Sequence, residues 1–228
     1  VRDSDYIDFN VQRLLPHKLS QYGPSLAVGD VNGDGLEDLY VGGSQFFYGQ
    51  FFIQQANGTF QRESRIDTVA GWELMDEMAS LFFDADQDGD QDLYIVSGSN
   101  QFPAGNEVYQ DRLLINENGQ FHWKEDALPK MLLSGSCVRA ADYDRDGDLD
   151  LFVGGRLRPE HYPQSVSSYV LINDSQNGQA RFVQADMPAL QNLGMVCDAL
   201  WTDFDQDGWV DLLLAGEWMP LQFFRNVE

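Results

Sequence analysis

Apolar and polar positions alternate along this chain in short runs, and the runs recur in a fixed order. Four apolar stretches, SLAVG (25–29), MASLFF (78–83), SCVRAA (136–141) and DALWT (198–202), each lead into a cluster of acidic residues. Each cluster leads straight into a second stretch: LYVGG (39–43), LYIVSG (93–98), LFVGG (151–155) and LLLAG (212–216). A third stretch closes on Asn-Gly in the first three rounds: FFIQQANGTF with Asn57-Gly58, RLLINENGQF with Asn118-Gly119, and YVLINDSQNGQARF with Asn177-Gly178. Short apolar runs bounded by turn residues predict strands. Asn-Gly between two of them predicts a tight hairpin, because both residues accept the positive φ of a type I′ turn. One round therefore reads strand, acidic loop, strand, connection, strand, Asn-Gly turn, strand.

The acidic clusters begin at 30, 84, 142 and 203, so the repeat is 54 to 61 residues long. That is somewhat longer than the roughly 40–50 residues of a usual propeller blade, and an acidic loop plus a variable connection account for the excess. Helical patterns are scarce; only GWELMDEM (71–78) and EDALPKML (125–132) suit a turn or two of helix. Radial repetition of small antiparallel sheets hides strand edges, whereas an open solenoid uses shorter, more uniform repeats. The expected fold is an all-β propeller of four-stranded antiparallel blades, about four of them in this chain. Residues 1–18 form an N-terminal segment, with the repeats over 19–228. In the fourth round PLQFFRN (220–226) stands where an Asn-Gly turn should follow. Either the N-terminal YIDFNV supplies a closing strand, or the blades belong to a larger propeller; the second is the expectation, since no repeat here resembles a cap.

The acidic clusters carry the chemistry. They read DVNGDGLED (30–38), DADQDGDQD (84–92), DYDRDGDLD (142–150) and DFDQDGWVD (203–211), all fitting D-x-[DN]-x-D-G-x-x-D. Oxygen donors at positions 1, 3 and 5 point into one concavity, glycine at 6 reverses the chain, the carbonyl of 7 adds a donor, and aspartate at 9 closes the shell. Hard oxygen ligands in that number suit Ca²⁺ better than Mg²⁺, which demands a strict octahedron, and no His or Cys invites a softer metal. The expected ligands are Asp30, Asn32, Asp34, the Leu36 carbonyl and Asp38; Asp84, Asp86, Asp88, the Asp90 carbonyl and Asp92; Asp142, Asp144, Asp146, the Asp148 carbonyl and Asp150; and Asp203, Asp205, Asp207, the Trp209 carbonyl and Asp211. About four Ca²⁺ per chain follow. With its neutral Asn32, the first box is expected to bind most weakly. An EF-hand is excluded because position 12 is Val41, Ile95, Val153 or Leu214 rather than a bidentate glutamate. A single such stretch could be a metal-free acidic turn; four in phase, each with glycine at position 6, point to the ion.

These boxes and the strand-and-Gly-Gly that follows resemble the FG-GAP/VCBS repeat of integrin α subunits and of many bacterial surface and secreted proteins. LLPHKLSQYGPSLAVGDVNGDGLEDLYVGG and DADQDGDQDLYIVSGSN are most similar to large bacterial VCBS proteins related to cartilage acidic protein 1, often carrying an ASPIC/UnbV domain. The resemblance implies a seven-bladed propeller with Ca²⁺ in the loops on the side away from the ligand face. It also implies further domains of a longer chain.

Charge narrows the partners. A formal charge of -23 argues against nucleic acid and anionic membrane surfaces. No apolar run approaches the roughly 20 residues of a spanning helix. Millimolar Ca²⁺ outside the cell fills weak loops of this kind, so an extracellular or cell-surface location is expected, with any signal outside the given sequence. Cys137 and Cys197 read as two small buried side chains in equivalent strands, with a disulfide between them as the alternative. His17, His122 and His161 lie in different phases with no nucleophile beside them, and no catalytic motif appears, so no enzyme is expected. Trp72, Trp123, Trp201 and Trp218 read as core or strand packing. Protein or glycan binding is expected through the long loops 97–111 and 154–169, which share a phase and should cluster on one face, with Arg156 and Arg158 as contacts for a carboxylate or acidic sugar. The alternatives are a purely structural spacer and, less favoured, a carbohydrate-active enzyme.

Overall fold

A computed structural model describes residues 6–227 except 68 and 70. The predicted strand order appears directly. Sheet one holds β1 (Leu26–Gly29), β2 (Asp38–Val41), β3 (Gln50–Gln54) and β4 (Phe60–Glu63). Sheet two holds β5 (Asp76–Phe83), β6 (Asp92–Gly98), β7 (Arg112–Glu117) and β8 (Gln120–Trp123). Sheet three holds β9 (Ser134–Ala141), β10 (Asp150–Leu157), β11 (Tyr169–Asn173) and β12 (Phe182–Gln184). Sheet four holds β13 (Met195–Thr202), β14 (Asp211–Glu217) and β15 (Gln222–Phe224). Every pairing in these sheets is antiparallel between sequence neighbours. The first strands lie side by side, β1 against β5, β5 against β9 and β9 against β13. The result is a propeller-like arc of four blades, not closed into a ring among the described residues.

Both faces of the middle blades are buried, so their strands are apolar on both sides of the pleat. In β6, Leu93 and Ile95 join Phe51 and Phe121 between blades one and two, while Tyr94 and Val96 join Leu151 and Phe182 between blades two and three. A third core between blades three and four gathers Phe152, Val170, Val196 and Leu212. Each such side chain contributes about 1.5–3 kcal/mol, so the blades are held by three separate inter-sheet cores. The outer faces of the arc lack that cover. Phe223 is 59% exposed, whereas its counterparts Phe51, Leu113 and Val170 are 1%, 0% and 1% exposed; on the first blade Leu26 and Val28 are exposed too.

Local departures from expectation have local causes. Asn118-Gly119 and Asn177-Gly178 both take positive φ, as predicted. At Asn57-Gly58 only Gly58 does; Gly58 N–H donates to Gln55 O at 2.7 Å and Gln55 N–H to Thr59 O at 2.8 Å, a wider loop whose glycine alone must be left-handed. Residues 72–74 form a single 3-10 turn, but 125–132 form no helix because Pro129 lacks an N–H and bars the helical conformation for Leu128. The candidate closing strand is instead α1 (Asp8–Val11). Asp8 is buried and accepts from Leu19 N, Ser20 N and Ser20 Oγ at 3.1, 3.0 and 2.6 Å, folding the segment onto itself. Cys137 is buried and Cys197 exposed, both free. β13 carries a register shift between Val196 and Asp198, so Cys197 occupies the bulge and turns to the other face.

Candidate metal centres

Strand direction sorts the loops. Each box joins a blade's first strand to its second, so all four boxes and the Asn-Gly turns lie on one rim. The second-to-third-strand loops and the inter-blade connections lie on the opposite rim.

The box loops are built from their own carboxylates. In the first, Asp30 Oδ1 accepts from Gly33 N at 2.8 Å and Asp34 N at 3.2 Å, and Oδ2 accepts from Gly35 N at 2.8 Å. Slight burial opposes ionisation of Asp30, but these N–H donors outweigh it and hold its pKa below the usual carboxylate value. The second and fourth boxes repeat the wrap, with Asp84 Oδ2 accepting from Gly89 N at 3.1 Å and Asp203 Oδ2 from Gly208 N at 2.9 Å. The glycine at position 6 takes positive φ in every box, at Gly35, Gly89, Gly147 and Gly208, which is why a side chain there is unsuitable.

The ninth aspartate has a role that the ligand pattern did not disclose. Asp38, Asp92, Asp150 and Asp211 are all 0% exposed. One oxygen of each accepts from the position-2 N–H of its own box: Val31, Ala85, Tyr143 and Phe204 at 3.3, 2.8, 3.0 and 3.1 Å. The other accepts from the third strand or, in blade four, two residues past it: Gln54, Asn116, Asn173 and Asn226, each at 2.8 Å. The asparagines among these reach further, to the preceding blade. Asn116 Nδ2 donates to Val31 O at 2.9 Å, Asn173 Nδ2 to Ala85 O at 3.1 Å, and Asn226 Nδ2 to Tyr143 O at 2.8 Å. Neighbouring boxes are thus tied together by one amide. The sequence signal was present in LLIN, VLIN and FFRN, in phase with the boxes.

Acidic oxygens converge within 4.8 Å of one another in three boxes: Asp84, Asp86 and Asp92; Asp142, Asp144 and Asp146; and Asp203, Asp205 and Asp211. Asp88, Asp150 and Asp207 stand outside these groups, and among the described residues the first box assembles no such trio from Asp30, Asp34 and Asp38. Within these groups Asp86 Oδ1 and Asp142 Oδ1 are buried with no hydrogen-bond partner, as are Asp90 Oδ1 and Asp148 Oδ1 at position 7, outside the groups. Buried carboxylate oxygens without a donor are suited to a cation or to an ordered water. Burial, reinforced by neighbouring carboxylates, pushes Asp90 and Asp150 up to about 6 and Asp92 and Asp148 up to about 7, as expected of crowded acids without a counter-charge. Position 7, expected to contribute only its carbonyl, also carries a carboxylate at Asp90 and Asp148, and Asp148 Oδ2 accepts from Gln87 Nε2 of the second box at 3.1 Å. The fourth box is different: Arg225 bonds Asp205, and its Nη2 lies 2.9 Å from Asp207 Oδ2. Arg145 reaches across from the third box to lie over Trp209 at 3.8 Å.

On the opposite rim the two long loops meet, Glu160 N donating to Asn100 Oδ1 at 3.1 Å. A cleft of about 320 Å³ between them includes Gly105, Arg158 and Pro159. Arg158 is exposed there. Arg156 is not available as expected: it is buried and ion-paired with Glu217, linking blades three and four. Trp72 is buried, but Trp218 is 75% exposed, with its Nε1 donating to Tyr162 OH at 2.6 Å; it is no core residue.

Among the described residues, no helix is long and apolar enough to cross a membrane. No curated protein matches this chain. A family model for the FG-GAP-like repeat matches residues 30–95 and 84–153, taking in the first three boxes and more than half of the chain. By that match, and by boxes that recur with the blades, the chain belongs to the FG-GAP-like repeat family.

Proposed function

We propose that this chain is a calcium-binding β-propeller module of a secreted or cell-surface protein, with ions on the box rim and a protein or glycan partner on the loop rim. The observation that carries the reading is the convergence of carboxylate oxygens in three boxes, with Asp86 Oδ1 and Asp142 Oδ1 among them buried and partnerless. Bound Ca²⁺ supplies the positive charge and oxygen coordination that these loops lack. Asp84, Asp86 and Asp92 would hold it in the second box, Asp142, Asp144 and Asp146 in the third. In the fourth, Asp203, Asp205 and Asp211 would do so once Arg225 yields. The first box has Asp30, Asn32, Asp34 and Asp38 for a weaker site. The exposed Leu26, Val28 and Phe223 support an arc that continues into further blades, as a seven-bladed ring would require. The chain acts by binding, not by catalysis.

Native mass spectrometry and thermal unfolding in EGTA and in about 2 mM CaCl₂ test this. A site with a Kd near 10⁻⁴ M stabilises the fold by about 2 kcal/mol at that concentration. Two to four bound ions and a rise in Tm are expected. No bound calcium and an unchanged Tm would return the boxes to plain acidic turns.

A further inference from the structure

Arg112, the first residue of β7, is 7% exposed. A buried guanidinium normally secures an ion pair or several hydrogen bonds, because desolvating the charge is costly. Arg112 has neither among the described residues, and its Nη1 is buried without a partner. The nearest acids, Glu77 and Asp111, favour its charge from beyond ion-pair distance and are hydrogen-bonded to other donors. Glu77 Oε2 accepts from Tyr40 OH at 2.6 Å and Gly43 N at 2.7 Å, and Asp111 accepts from Tyr94 OH at 2.9 Å and Ser97 N at 2.8 Å. Burial lowers the Arg112 pKa to about 10, which leaves the group cationic at neutral pH. Its guanidinium lies 4.3 Å from the centre of the Trp72 ring, and Trp72 meets Trp123 edge-on at 5.6 Å.

These residues line a cleft of about 650 Å³ on the loop rim of blade two, within the size range of small-ligand sites. Its walls are apolar at Trp72, Leu74, Trp123 and Leu128. Glu107, Glu125 and Asp126 also line it, and Lys130 is tied to Glu107 at 2.6 Å. That lining repels polyanions.

We infer that this cleft binds a small monocarboxylate with a compact ring-bearing body, its carboxylate taken by Arg112 and its ring set against the half-buried Trp123. A planar guanidinium set over an indole ring is suited to bidentate carboxylate recognition, and a single negative charge meets less repulsion from the acidic lining than a polyanion would. The inference specifies the partner side of the function proposed above and does not depend on the boxes.

Titration of the full chain, followed by tryptophan fluorescence and calorimetry, tests it with two sources of the same chemistry: glucuronate for a sugar acid and N-acetylphenylalanine for a peptide terminus. Saturable binding of at least one is expected, with at least 10-fold weaker binding of its uncharged counterpart, methyl glucoside or N-acetylphenylalaninamide. Arg112→Gln should weaken binding at least 10-fold. Trp123→Leu, at a half-buried wall position, should weaken it without touching the charge, and serves if Arg112→Gln does not fold. No saturable response to either carboxylate overturns the inference, as does equal binding of the neutral analogues or of Trp123→Leu. Running each titration in Ca²⁺ and in EGTA separates failure of this site from failure of the boxes: binding that persists in EGTA leaves the cleft standing without them.

Discussion

Replacing Asn116 by alanine tests whether the amide ties between blades carry stability. Asn116 is buried, and its side chain makes three bonds: Nδ2 to Val31 O at 2.9 Å, Nδ2 to Gln91 O at 3.1 Å, and Oδ1 from Gly119 N at 2.6 Å. A buried hydrogen bond contributes about 1 kcal/mol net, and a buried partner left unsatisfied costs about as much again. Val31 O has no second donor among the described residues, so Asn116→Ala should cost about 3 kcal/mol. Asn173 is the control. Its bonds to Ala85 O and Leu149 O are longer, 3.1 and 3.4 Å, and Ser175 Oγ also donates to Ala85 O at 2.9 Å, so Asn173→Ala should cost about 2 kcal/mol. In a chain of this length each kcal/mol lowers Tm by about 2–4 °C. Asn116→Ala should therefore melt roughly 6–12 °C below the parent, and Asn173→Ala about 4–8 °C below it. Calorimetry at saturating Ca²⁺ reads both. A shift under about 2 °C for Asn116→Ala, or a larger loss for Asn173→Ala, refutes the reasoning.

Four further outcomes follow from the site and the strands. Asp86→Asn removes a carboxylate whose oxygen has no partner; native mass spectrometry should count one ion fewer, with a smaller calcium-induced rise in Tm. Arg225→Ala frees Asp205 and Asp207 from a competing cation, so calcium should bind the fourth box more tightly in a calorimetric titration. In EGTA the fold should gain stability as pH falls from about 7 towards the ordinary carboxylate pKa near 4. Burial raises Asp111 to about 7, so the folded state binds a proton that the unfolded chain does not, and a Tm that falls on acidification would contradict this. Cys197 should react with a thiol reagent in the native protein while Cys137, whose thiol burial pushes up to about 11, should react only on unfolding.

What could be read from the sequence was whatever repeats. The strands, boxes and Asn-Gly turns recur every 54 to 61 residues, and recurrence separates a built feature from a chance one. The inter-blade asparagines recurred as well, but their meaning needed the preceding blade's carbonyls in place. Features peculiar to one blade were not legible. Glu217 occupies the same step of its strand as Arg156 does in the previous blade, so the pair forms only because adjacent blades set those strand ends side by side. Trp218 looked like a strand residue, yet it lies just past the end of β14 with φ of 58°, where the ladder no longer dictates which way a side chain faces. The isolation of Arg112 is a fact about packing, which no sequence pattern marks.

The antiparallel meander has a consequence for how such a chain can change. Because each blade runs down, up, down and up, a loop's place in the strand order decides which rim it reaches, whatever its length. Insertions at 97–111 or 154–169 lengthen loops that the boxes never meet, so that rim can change length without disturbing the asparagine ties between boxes. Grafting a foreign loop between β6 and β7 should for the same reason leave the box rim as it was.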